Sequence, residues 1–577
     1  MSAIISSDVE KKAWYNRPYF WVLIVIIGAL LRLIGLGSSP LGENEARLAY
    51  QVIDLQSVSG SSSPLYISFT SIFFWLFGPN NFLARFFPAL MGISLILLPF
   101  FLDQERKNGL ALWIALWLAI DPALVAVSRQ VNTQIILLTT LFYAFVFLWK
   151  KDYFKGLLFG CLSFFSSPLI FHFLVPVLLT GWLATVFWKV NLPDIHIKRL
   201  EKRHFWLAVV LALLFMTCFM VIPQNIGVWA NFLPHYLETW RSSTGMHFMQ
   251  FLFGMLGYEL GLVFFAVLGA VYFLKNNQTI KIITLWITLW LVWILIFPGK
   301  EVFDLIFIIP PLAYLAGLQI QNMVKQSGEG AKGSLLLGVV LLGILAYLTQ
   351  IIFRMGGIGD NENLLLKILP IAIPIIMAMI LTLLVSWERS LSTALHGIYW
   401  ALGTFLVILS VFSLFRITSP QSDQEIWKMP GRIQEEKAIF SFIQNVNEWR
   451  KSHTKPLTIV APSERYVWRW AFRDRLNVSY ISGEYDGFNP DVVIAFNTLG
   501  FNESNAYRGR AFLVDQRIAW ELLSPPEWFD WMFSRSLPEA VIQKQEAILW
   551  VRNDILPEGL VGNESLNLNS ELDNPAN

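Results

Sequence analysis

Charge is scarce in this sequence. Asp, Glu, Lys and Arg make up 15% of its 577 residues and hydrophobic types 55%, whereas soluble domains carry about a quarter charged residues. Such a chain reads as an integral membrane protein. Cysteine is nearly absent: Cys161 and Cys218 both lie in apolar runs, which excludes a disulfide framework and a cysteine-ligated zinc site. A net charge of +2 supplies no basic field, so no nucleic-acid partner is expected. There is no Walker A loop, no GxGxxG turn between strand and helix, no HExxH and no CxxC. These absences exclude a nucleotide-driven pump, and no inner loop is long enough to house a sugar-nucleotide domain. No internal repeat of clear period is visible, against the paired halves that many secondary transporters show.

What the chain has in abundance is apolar runs. Segments able to cross roughly 30 Å of hydrocarbon recur near 18–36, 86–102, 109–127, 134–149, 154–171, 172–188, 205–222, 250–274, 280–297, 302–320, 333–352, 364–385 and 394–415. That predicts an all-α polytopic protein of about thirteen transmembrane helices. The first run has no small-residue cleavage site and reads as a signal anchor.

The segment Pro64–Phe77 decides the topology. It is apolar but short, preceded by Gly60-Ser61-Ser62-Ser63 and closed by Gly78-Pro79-Asn80-Asn81. If it lies along the interface, one side collects Lys150, Lys151, Lys155, Lys198, Arg199, Lys202, Arg203 and most other cations. The opposite side keeps Arg47, Arg85, Arg129, Arg241, Lys300 and Arg354. If it spans, that bias reverses, against the excess of cations expected in the cytoplasm. The expected layout is therefore a cytoplasmic N-terminus (1–17) and a transmembrane domain (18–415) with interfacial helices in its first outer loop (37–85). An extracytoplasmic α/β domain (416–556) follows, and then a polar, disordered tail (557–577). In that domain Gln434–Arg450 reads as a helix. Leu457–Ala461, Val478–Ile481, Asp491–Phe496, Ala511–Val514 and Ala547–Val551 read as strands.

The first outer loop carries the most informative residues, Gly42-Glu43-Asn44-Glu45-Ala46-Arg47-Leu48-Ala49-Tyr50. At 100° per residue, Glu43, Arg47, Gln51 and Asp54 share a polar stripe, while Ala46, Ala49, Tyr50 and Ile53 follow the apolar spacing. Glu45 falls on the apolar side, where a carboxylate is costly unless partnered or used. Glu43 can be read as an ordinary first-turn acid paired with Arg47, so Glu45 leads as a catalytic candidate and Glu43 follows. Other polar residues of the membrane part face the same side: Arg85, Arg129, Asn132, His235, His247, Lys300, Glu301 and Asp304. Each cation could simply snorkel or pair locally, and Asp121 and Glu259 could be buried and neutral. Together, Arg85, Arg129 and Lys300 suggest a cleft for an anionic lipid headgroup, with a nearby carboxylate for acid–base work. Glu43, Glu45 and Asp54 are oxygen ligands open to a divalent metal, but their spacing defines no site.

Four elements in order resemble the GT-C glycosyltransferases, in the branch of the protein O-mannosyltransferases and the bacterial lipid A aminoarabinose transferases. They are the acidic loop Gly42–Leu55, the Ser63-Pro64-Leu65-Tyr66 opening with Gly78 and Arg85-Phe86 beyond it, the stretch Pro122 to Ser128-Arg129, and Lys300 followed by Pro310-Pro311-Leu312. The likeness spans about 18–320. It implies an enzyme that takes a sugar from a polyprenyl-phosphate carrier and passes it to a lipid, protein or glycan acceptor at the extracytoplasmic face, inverting the anomeric carbon. It needs no nucleotide or redox cofactor. The resemblance also implies that a carboxylate of the first loop is the base, and the expected mechanism has Arg85, with Arg129 or Lys300, stabilise the charge growing on the leaving phosphate. Where the family carries Asp-Glu, this chain has Asn44-Glu45, and an amide cannot act as base. A secondary transporter or a non-catalytic membrane scaffold with an outer binding domain are the alternatives, the scaffold being favoured by Asn44.

Overall fold

The structure, a computed structural model, describes residues 18–57, 62–102, 109–189, 202–244, 246–275, 277–326, 331–355, 364–419, 425–450, 456–463, 465–474, 477–481, 489–496 and 506–557. The expected cytoplasmic N-terminus and, beyond Pro557, the expected tail lie outside the described residues. Two compact units emerge. One comprises Met1–Ser38, Leu55–Lys428 and Trp520–Leu537; the other comprises Ser39–Asp54, Met429–Ala519 and Pro538–Asn577. The division does not follow chain order: the helix of the first outer loop belongs to the second unit, and a C-terminal segment belongs to the first.

The first unit is a helical membrane body. It begins with α1 (Pro18–Leu33) and continues after the outer loop with the helix Pro64–Phe77, whose first residue follows the Ser63 cap. Eight described helices are long and apolar enough to cross a membrane, and a bent pair makes a ninth. A count of about thirteen is reached only by adding shorter helices such as Thr133–Trp149 and Tyr153–Phe164. The latter, at twelve residues, extends about 18 Å at 1.5 Å per residue, well short of the hydrocarbon core. The run 109–127, expected as one straight span, is Leu110–Ile120 and Pro122–Ser128, bent by 57°. Asp121-Pro122 explains the break. Asp121 leaves helical geometry to cap the second piece, accepting the Leu124 N–H at 2.8 Å, and Pro122 occupies a first-turn position that needs no N–H donor. The expected span 302–320 opens instead as a 3-10 helix, Val302–Ile308, before the α-helix Ile309–Gln326.

The second unit is built on a five-stranded sheet of order β2-β1-β3-β5-β4. Its strands are β1 (Ile459–Pro462), β2 (Val478–Ile481), β3 (Val492–Phe496), β4 (Tyr507–Ile518) and β5 (Ile542–Arg552). β1 runs parallel to β2 and β3, while β5 runs antiparallel to β3 and β4. The fully buried pattern of β1 and β3 is what a parallel strand covered on both faces requires. The helix Glu436–Trp449 buries Ile439, Phe442, Ile443 and Val446, an i, i+3, i+4, i+7 stripe. Phe442 packs there on Phe512 of β4 at 5.7 Å between rings.

Candidate functional site

The outer-loop acids lie on α2 (Glu43–Ile53), in the sheet-bearing unit. Its start is tightly built. Gly42 is the N-cap, and Glu45, three positions on, accepts the Gly42 N–H at 2.9 Å, one half of a capping box whose other half glycine, having no side chain, cannot make. The chain 429–431 closes over this turn, with the Glu43 N–H donating to the Pro430 carbonyl at 3.3 Å. Two glycines permit that approach. A Cβ on Gly42 would stand 2.9 Å from the Pro430 oxygen, and one on Gly431, at φ +82°, 2.9 Å from the Glu43 Cβ.

Glu43 and Glu45 part company in their surroundings. Glu45 is fully buried, as its place on the apolar side of the wheel leads one to expect. Glu43 is half-buried and accepts the Tyr466 and Val467 N–H groups at 2.7 and 3.3 Å. It thereby caps the helix Tyr466–Ala471, which packs along α2. Burial pushes the Glu43 carboxyl above its ordinary value, outweighing those two N–H donors and the charges of Arg465 and Arg47. Asn44 between them is exposed. Among the described residues no group of three or more His, Cys, Asp or Glu side chains converges as a metal site, so Glu43, Glu45 and Asp54 are not assembled around an ion.

The candidate phosphate-holding cations lie in the membrane unit. Arg85, buried in the helix Asn81–Leu102, donates to the Leu36 carbonyl at 3.1 Å. Arg129 donates to the Leu31 and Ile34 carbonyls at 2.8 and 2.7 Å. Arg129 thus serves carbonyls at the end of α1, where cations complement the macrodipole, Arg85 serves one just beyond it, and the two guanidiniums stand close enough to repel each other. Lys300 is not brought to them; among the described residues its ammonium donates to the Leu295 carbonyl, at 3.4 Å.

Sequence reasoning also missed how inner polar groups combine. Glu259 stands beside Asp121 and accepts the Ala123 N–H at 3.1 Å. The helix Phe248–Phe273 loses helical geometry at Glu259 (φ −109°, ψ 19°), so two broken helices meet at this pair. Arg32 nearby donates to the Gly28, Leu118 and Ala119 carbonyls. Asp304, expected on the outer side, is buried and accepts from Gln134 at 3.1 Å and from the Glu301 N–H at 2.9 Å. The Asp-Pro at 121 was the only sequence signal for this arrangement.

No protein-family model matches the sequence, and no curated protein matches it. Solved structures do. ArnT from Cupriavidus metallidurans bound to undecaprenyl phosphate superposes with a TM-score of 0.52 at 12% identity, over 94% of this chain and 99% of that one. The same protein in the apo state gives 0.52 at 13% identity, over 95% and 99%. The Archaeoglobus fulgidus oligosaccharyltransferase complexed with zinc and sulfate aligns at 14% identity over 83% of this chain and 68% of that one. Its TM-score of 0.26 is too low to argue from. ArnT is a lipid A aminoarabinose transferase of the GT-C superfamily. At such low identity the likeness speaks for the fold alone: this chain is ArnT-like in fold over nearly its whole length.

Proposed function

We propose that this chain is a membrane glycosyltransferase that moves a sugar from a polyprenyl-phosphate donor to an acceptor hydroxyl at the extracytoplasmic face. The observation that carries the reading is the full-length ArnT-like fold, with undecaprenyl phosphate bound in that neighbour. In the reaction, a carboxylate takes the acceptor's hydroxyl proton. The freed oxygen bonds to the anomeric carbon as the bond from that carbon to the phosphate oxygen breaks, and the polyprenyl phosphate leaves with the electron pair, inverting the centre. Arg85 and Arg129 are the pair suited to the charge growing on that phosphate, where one aimed donor is worth roughly 3–4 kcal/mol; Lys300 is a weaker candidate. The C-terminal sheet domain belongs, on this reading, outside the cytoplasm.

The base is Glu43 or Glu45, because Asn44 cannot serve. Burial reverses the order that the helical wheel suggested. Glu43 is reached by solvent, and burial raises its carboxyl above the ordinary value, towards the range a general base needs, while Glu45 is shut in and holds the turn. Transfer from radiolabelled polyprenyl-phosphate sugars, measured in membranes, separates the roles. Glu43→Gln should lower turnover by two to four orders of magnitude, and Glu45→Gln should act mainly through stability. The opposite pattern exchanges the two roles. Absence of transfer from any donor by the wild type would leave the scaffold reading, which Asn44 and the capping bonds of both glutamates favour.

A further inference from the structure

Three arginines follow one another at four-residue intervals around the helix that Glu43 caps, and their partners are unequal. Arg465 bonds Asp515 at 3.3 Å and Gln545 at 2.5 Å, and lies over Phe496. Arg473 reaches Asp474 at 3.7 Å and the Trp470 carbonyl at 2.8 Å, and stacks on Trp470. Arg469, between them, has neither an acid nor a hydrogen-bond acceptor among the described residues. Instead three tyrosine rings surround it: Tyr50 of α2 at 6.0 Å, Tyr466 at 5.4 Å and Tyr480 of β2 at 5.5 Å. Its Nε is buried without a partner.

Aromatic rings satisfy the flat faces of a guanidinium. They do nothing for its in-plane N–H groups, whose fork matches a carboxylate or phosphate. Tyr50 and Tyr466 stand 6.2 Å apart, so the cage is lined by phenols as well as by charge. The Tyr480 hydroxyl, pushed up to about 12 by burial and by Tyr50 against the pull of Arg469, stays protonated and can donate. Arg469, Tyr50, Tyr466 and Tyr480 are all half-buried, so none is sealed from solvent.

We infer that Arg469 and its three tyrosines form an oxyanion subsite that recognises a sugar acceptor bearing a phosphate or carboxylate. The subsite shares a unit with α2, where the candidate base sits seven residues before Tyr50. The assignment to the acceptor rests on the transferase reading above; the oxyanion chemistry does not.

The full-length protein in phosphatidylcholine nanodiscs, titrated with glucose 1-phosphate, glucuronate and glucose, tests the subsite by calorimetry. At least one of the two anions should bind saturably and glucose should not, and which anion binds decides between phosphate and carboxylate. Arg469→Gln should weaken that binding tenfold or more, and Arg469→Lys should restore only part of it. Tyr480→Phe, which keeps the ring and removes the donor, should weaken it several-fold, and it remains informative if the Arg469 variants do not fold. In the transfer assay, Arg469→Gln should raise the acceptor KM while sparing kcat. Anion binding that is unchanged in the variants, or glucose binding as well as the anions, overturns the subsite. So does Arg469-dependent adherence to phosphatidylglycerol vesicles with no sugar-anion binding. Arg469-dependent anion binding without transfer from any donor sinks the transferase reading and leaves the subsite standing. Transfer with an unmoved acceptor KM does the reverse.

Discussion

Asp121 and Glu259 meet at the start of the helix Pro122–Ser128 inside the membrane unit, whereas Glu43 and Glu45 sit at the start of α2 in the sheet-bearing unit. In both places carboxyl oxygens accept backbone N–H groups from a helix N-terminus, which favours negative charge. The surroundings differ. Asp121 and Glu259 are 1% and 3% exposed. Glu43 is open to water along one side. A carboxyl with no route to solvent fixes a helix break in place, while one at the water boundary can also exchange protons with a bound substrate. Position in the fold, more than residue type, sets what a carboxyl can do here.

The largest expected effect breaks the inner pair. Asp121→Ala removes the cap of Pro122–Ser128 and one partner of a wholly buried charged cluster, leaving Arg32 without its nearest negative charge. Such losses cost about 3–5 kcal/mol, so the variant should melt far below the wild type in detergent; an unchanged melting temperature would mean that the cluster contributes nothing to the body's stability. Next comes the turn over α2. Gly431→Ala forces an L-residue to positive φ, at about 1–2 kcal/mol, and drives a methyl group into Glu43. It should destabilise the sheet-bearing unit and lower transfer together, whereas a change at an exposed residue such as Asn44 should leave stability untouched. Smaller again, Glu43→Ala removes the cap of Tyr466–Ala471, worth roughly 1 kcal/mol. Hydrogen exchange at the Tyr466 and Val467 amides should quicken while the β3 and β5 amides keep their protection.

Much of this was legible in the sequence. Pro64–Phe77 is a helix over the expected residues because Ser63 caps it, Pro64 begins it and Gly78 ends it. Val478–Ile481 is a strand within its expected bounds, and Glu45 is buried as its wheel position requires. Other parts were obscured for physical reasons. β4 extends from Tyr507 to Ile518, well beyond the four apolar residues that mark it, because Arg508, Arg510, Gln516 and Arg517 give its ends a polar texture. The helix Pro525–Ser534 is marked in the sequence by the capping box that Ser524 and Glu527 form at its start. The Glu43 cap joins residues 423 positions apart, and no periodicity reports a partner at that distance. The tyrosine cage around Arg469 draws on α2, a short helix and a strand, so it exists only after folding.

The finest test of the comparison uses pH. Burial raises the Glu43 carboxyl above its unfolded value, so between the two values the native state binds more protons than the unfolded state. Stability must then fall as pH rises through that window, and the contribution is most favourable below it. Glu43→Gln removes the titration and keeps one acceptor oxygen. The difference in melting temperature, wild type minus variant, should therefore decline from about pH 4 upward and level off once Glu43 is ionised in the folded protein. Because Glu43 is partly exposed, the drift should be modest. A difference that instead rises with pH would mean that its N–H donors and the Arg465 and Arg47 charges outweigh burial, making Glu43 a stabilised carboxylate and a poorer base.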